Sequence, residues 1–113
     1  MSDNCLFCKI VKGEIPSRKI YEDDAVYAFW DINPEAPKHF LVIPKKHLTG
    51  PSDVAAQDET LAGKLISTGA RLAHENGIDN FRLVMNNGAG AGQTVFHLHM
   101  HVLGGRPMGW PPG

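Results

Sequence analysis

Three imidazoles at every second position, His97, His99 and His101, are the residues of this chain best suited to chemistry. They stand in Phe96-His97-Leu98-His99-Met100-His101-Val102-Leu103 and make up three of the six histidines. Strict alternation of apolar residues and imidazoles predicts a half-buried strand, with Phe96, Leu98, Met100 and Val102 toward the core and the histidines together on the other face. A single strand histidine is ordinarily a surface or hydrogen-bonded residue. Three in phase suit metal ligation, nucleophilic catalysis or phosphate binding. At ~3.3 Å per residue, His97 and His101 start about 13 Å apart, too far for one ion with ligand bonds of ~2 Å. Adjacent histidines, about 6.6 Å apart, can converge on one ion or phosphate. The three are therefore expected to divide their work.

Two further groups carry chemical potential. Cys5 and Cys8, the only cysteines, read as thiols or metal ligands in a cytosolic chain, where a structural disulfide is disfavoured. Gly88-Ala89-Gly90-Ala91-Gly92-Gln93-Thr94 precedes a strand and lacks a Gly-Lys-Ser/Thr ending, which excludes the P-loop and dinucleotide motifs. Its glycines still let N–H groups form an anion nest, and Thr94 falls on the histidine side of the alternation.

The elements that must position these groups fit one small domain over residues 1–113. Cys5 to Val11 reads as a short apolar helix or turn stopped by Gly13 and Pro16. Lys19–Glu22 and Val26–Trp30 read as a hairpin across Asp23-Asp24, and His39–Ile43 as a strand ended by Pro44. Leu61, Leu65, Thr68 and Leu72, widened by Ala62, Ile66, Gly69 and Ala73, give one long helix that starts between Ser52 and Asp58 and stops at Asn76-Gly77. Phe81–Asn86 is a further strand. The tail after Gly104 is irregular and carries Trp110, which calls for a surface to bury against.

Eleven Lys and Arg balance 12 Asp and Glu, and no basic cluster exceeds Lys45-Lys46, which argues against nucleic acid as partner. The start, Met1-Ser2-Asp3-Asn4, lacks the features of a signal peptide, and no apolar run is long enough to span a bilayer. A cytoplasmic protein with a small-molecule partner and no membrane contact is expected.

His97-Leu98-His99-Met100-His101-Val102-Leu103 resembles the signature of the histidine triad (HIT) superfamily. Asp31 to His47, Asn86-Asn87-Gly88, Gly92-Gln93-Thr94 and the Trp-Pro-Pro-Gly terminus resemble its Hint branch, the purine nucleoside phosphoramidases. The resemblance implies an α+β fold: an antiparallel sheet of about five strands, one long helix, a short N-terminal helix, and a homodimer whose sheets join. It also implies hydrolysis of the P–N bond of a purine nucleoside phosphoramidate. His99 would be the nucleophile, forming a nucleotidyl-histidine while a carbonyl such as that of His97 holds its other N–H. His101 and loop N–H groups would stabilise the phosphoryl oxygens, His39 would orient the triad, and Thr94 would stand near the leaving group. Asn86, Gly92, Gln93 and Thr94 match the phosphate side of the nucleotide site, Asp31 the carboxylate on the ribose, and Phe7, Ile10, Phe29, Ile32 and Leu41 the walls around the base.

Cys5, Cys8, His47 and His97 form a plausible Cys₂His₂ set for a structural zinc, similar to a site carried by some bacterial members. Two residues depart from the branch pattern: Thr94 replaces the common serine, and Gly109 replaces a histidine of eukaryotic members. The competing readings are a non-catalytic nucleotide-binding or interaction protein, and a metallohydrolase built on the histidine strand.

Overall fold

The computed structural model describes residues 4–113; the reading of Met1-Ser2-Asp3 lies outside them. Helix α1 spans Leu6–Val11, and the Cys5 thiol at its N-cap accepts the N–H of Cys8 at 3.3 Å. Strands β1 (Lys19–Glu22) and β2 (Val26–Trp30) form the expected hairpin. Its turn is tied by Asp23, whose Oδ1 accepts the N–H groups of Ala25 and Val26 at 2.8 and 2.9 Å. Strand β3 (Lys38–Pro44), helix α2 (Glu59–Glu75), β4 (Phe81–Val84) and β5 (Met100–Gly104) complete an antiparallel sheet of order β1-β2-β3-β5-β4. This is the α+β arrangement that the resemblance implies. Among the described residues, no helix is long and apolar enough to cross a membrane.

The central strands bury both faces, which explains why Val26–Phe29 and Phe40–Ile43 are continuously apolar instead of alternating. Val26, Ala28, Phe40, Val42, Leu98, Met100 and Val102 pack with Leu65, Leu72 and Ala73 of α2. Tyr27, Phe29, Leu41 and Ile43 point the opposite way and pack with Phe7 and Ile10 of α1. Each fully buried aliphatic or aromatic side chain contributes about 1.5–3 kcal/mol, so both helices are clamped to the sheet mainly by apolar area. Gly69 lets α2 lie close, because a Cβ there would stand 2.5 Å from Met100 Cε. The helix stops at Asn76 and Gly77, the latter at φ +75°.

Three expectations need correction. The histidine strand begins only at Met100; residues 96–99 are irregular. Extending the β3–β5 register (Val42 opposite Met100) puts Pro44 opposite Leu98, where it has no N–H to donate. Leu98 N–H turns instead to Leu48 O at 2.6 Å. Leu98, Met100 and Val102 keep their core positions, but Phe96, outside the ladder, is 51% exposed. Strand β4 ends at Val84, whose partner is His101, short of the expected Asn86. Finally, Ile66 is half exposed, because α2 buries Leu65, Thr68, Gly69, Leu72 and Ala73, with Leu61 packed beside them, and turns Ile66 away.

Candidate functional site

On the α1 side of the sheet lies a cleft of about 300 Å³, lined by Phe7, Ile10, Phe29, Asp31, Ile32, Leu41, Thr94, His99 and His101 among others. Strand β3 brings Leu41 opposite His101 and β2 brings Phe29 opposite Leu41, so three neighbouring strands deliver these residues to one face. Phe7 meets the His99 ring edge-on at 5.1 Å and Phe29 at 5.5 Å. Ile32 stands 84% exposed beside the cleft.

Backbone contacts fix the tautomers of His99 and His39, and His39 in turn fixes that of His101. His99 Nδ1–H donates to His97 O at 2.7 Å, leaving Nε2 with its lone pair. His39 Nδ1 accepts the Glu35 N–H at 3.0 Å, so the proton of neutral His39 is on Nε2, 2.9 Å from His101 Nδ1. His101 Nδ1 accepts that proton's hydrogen bond, and its own proton is therefore on Nε2. Burial pushes His39 and His99 below their ordinary value of 6.5, partly opposed by Asp31. His101 falls to about 4, through burial and then the neighbouring His99 and His39. At neutral pH the cleft thus offers an uncharged imidazole with a bare Nε2, His99, next to the N–H donor of His101.

Of the phosphate-side candidates Thr94 lines the cleft, whereas Asn86, Gly92 and Gln93 lie before it in sequence and do not. Gln93 is buried: its Oε1 accepts Gly88 N–H at 2.8 Å, and its Nε2 donates to Thr49 O at 2.7 Å and Val95 O at 3.1 Å. That amide is committed to bracing the loop. Gly92 adopts φ +95°, and a Cβ there would stand 3.9 Å from Asn86 Nδ2, so the two are neighbours.

A second cluster lies outside the cleft. Cys5 Sγ, Cys8 Sγ, His47 Nδ1 and His97 Nδ1 lie within 4.8 Å of one another. Sulfur–nitrogen separations are 3.3 to 3.4 Å and the two nitrogens are 3.2 Å apart. A tetrahedron with Zn–S near 2.3 Å and Zn–N near 2.05 Å has edges of about 3.3 to 3.8 Å. His97 Nε2–H donates to Pro44 O at 2.8 Å, which bares Nδ1 and supplies the outer contact that orients ligating histidines. The group can hold a metal ion such as zinc. Asp31, His39 and His101 also converge, but the Glu35 N–H on Nδ1 keeps His39 Nε2 protonated, so this trio fits proton relay rather than ligation.

Sequence reasoning missed the backbone partners: Glu35 N–H and Pro44 O have no signature in residue type. It also missed Leu6, Ile15 and Trp30 as lining residues; the one available signal was that Leu6 and Ile10 share a helix face at i, i+4.

Fold and site together define an α+β protein with a histidine-lined cleft on one sheet face. The HIT domain model matches residues 12–108. A purine nucleoside phosphoramidase of Escherichia coli K12 is 46% identical, covering 96% of this chain and 93% of its own. An uncharacterized HIT-like protein of Synechocystis is 53% identical over all of both chains. A HIT family hydrolase from Legionella pneumophila superimposes with a TM-score of 0.95 at 48% identity, covering 97% of this chain and 100% of that one. The chain belongs to the HIT domain family.

Proposed function

We propose that the protein hydrolyses the P–N bond of purine nucleoside 5′-phosphoramidates through a nucleotidyl-His99 intermediate. The observation that carries this reading is the 2.7 Å bond from His99 Nδ1–H to His97 O, which aims an unprotonated Nε2 at the cleft and supports the charge that develops on attack. His99 Nε2 bonds to phosphorus while His101 Nε2–H donates a hydrogen bond to a phosphoryl oxygen, the P–N bond breaks, and the leaving amine takes a proton from solvent. Water then attacks phosphorus, displaces His99, returns a proton to solvent and releases the nucleoside monophosphate. Thr94 and the loop of Asn86 and Gly92 serve the phosphoryl oxygens, Asp31 the ribose, and Phe7, Ile10, Phe29, Ile32 and Leu41 the purine.

In the same reading, Cys5, Cys8, His47 and His97 hold a structural zinc that pins α1 to the sheet. None of the four lines the cleft, which supports a metal outside the chemistry. The active form is a cytoplasmic homodimer; β4 is an edge strand, and Trp110, 83% exposed, stands over Arg82 of that strand at 6.0 Å. Turnover of a fluorogenic adenosine phosphoramidate, with rapid quench to trap adenylate on His99, tests the central claim. A protein that binds AMP yet shows neither turnover nor adduct is a nucleotide-binding protein instead.

A further inference from the structure

Asp31 has two oxygens with different duties. Oδ1 accepts Asn33 N–H at 2.8 Å, which anchors the carboxylate to its own turn. Oδ2 lies 3.4 Å from His39 Nε2. That nitrogen is also 2.9 Å from His101 Nδ1, and since Glu35 N–H occupies His39 Nδ1, Nε2 carries the ring's one proton. A single N–H, hydrogen-bonded to His101 Nδ1, therefore has a second acceptor, Asp31 Oδ2, within reach. His39 is only 4% exposed, which limits what water can do to relieve the competition.

We propose that Asp31 and His39 make the sugar of the substrate part of the catalytic apparatus, so that a ribose is selected at bond cleavage as well as at binding. This rests on the phosphoramidase reading above. A ribose hydroxyl donating to Oδ2 satisfies that oxygen and leaves the His39 proton to His101. His101 is then held in the tautomer and ring orientation that present Nε2–H to the phosphoryl group as the amine departs. A nucleotide without the vicinal hydroxyls leaves Oδ2 drawing on the same proton, and His101 loses its anchor. His39 is the positioning residue in this chain of contacts, since it touches neither sugar nor phosphorus. Interactions realised only on the way to the transition state show in kcat, whereas uniform binding shows in KM.

The test has two arms. In wild-type protein, 2′,3′-dideoxyadenosine phosphoramidate should lose roughly tenfold in kcat against the ribose substrate, the scale of one hydrogen bond lost in the transition state. In His39→Leu both substrates should turn over slowly and the kcat gap between them should close. A dideoxy substrate that changes KM alone, or a gap that survives His39→Leu, overturns the proposal. The second arm needs no turnover: ¹⁵N-histidine NMR of His99→Asn protein saturated with AMP or 2′,3′-dideoxy-AMP. AMP should sharpen His101 into the single tautomer protonated on Nε2, and the dideoxy compound should not. Identical His101 signals with both ligands overturn the relay. This arm stands if phosphoramidates prove not to be substrates, or if His39→Leu fails to fold.

Discussion

His97 and His99 are joined by a 2.7 Å hydrogen bond from the His99 ring to the His97 carbonyl, while the His97 ring turns away to the thiols of Cys5 and Cys8. One residue thus holds the His99 ring through its backbone and joins the Cys/His cluster through its side chain. Phe7, between the two cysteines, packs edge-on against both rings.

Removing the proposed zinc should loosen the fold before it touches the chemistry, since none of its four ligands lines the cleft. Elemental analysis of protein purified without an affinity tag should give near one zinc per chain, lost in the Cys5→Ser/Cys8→Ser variant. A ligand present at 1,000 times its Kd contributes about 4 kcal/mol, so chelation should lower Tm by several degrees. Zinc-free native protein would sink the assignment.

His99→Asn should reduce turnover by more than about 10³-fold, because the covalent step is lost outright. Calorimetry should find AMP affinity within about threefold of wild type, since the walls of the cleft are untouched. Retention of a sizeable share of wild-type turnover would show the nucleophile to be another group.

Acid should destabilise the fold through His101. Its pKa is about 4 in the folded protein against an ordinary 6.5. Between those values the unfolded chain binds a proton that the folded one refuses. The stability associated with this group is whole above pH 6.5, falls as pH drops toward 4, and falls no further below that. The slope is at most about 1.4 kcal/mol per pH unit for one proton. Denaturant midpoints measured across that range should show a shallower decline in His101→Gln; an unchanged decline would contradict the assignment.

Gly104→Ala should destabilise by about 1–3 kcal/mol, the usual cost of an overpacked site. The added Cβ would collide with Ile78 Cγ2 and stand 3.0 Å from Asn80 O, and a backbone oxygen at the start of β4 has little room to retreat. Urea unfolding measures the difference, with Gly63→Ala as control: a Cβ at Gly63, within α2, would meet nothing within 4 Å.

Periodicity and stop signals made most elements legible. The stripe of Leu65, Thr68, Leu72 and Ala73 defined α2, and Asn76-Gly77 its end, because helical spacing and a left-handed glycine are local properties. The alternation of His97, His99 and His101 correctly put the imidazoles opposite Leu98, Met100 and Val102. It overstated the strand, since what ends β5 is Pro44, more than 50 residues away in sequence and brought alongside only by the β3 register.

Residue types and the histidine spacing by themselves determined the chemistry available: imidazoles that divide their labour, and thiols able to ligate. Only tertiary structure decided which nitrogen of each imidazole is bare. The deciding partners are backbone groups, the His97 and Pro44 carbonyls and the Glu35 N–H. Every residue carries such groups, so no side-chain pattern can announce them.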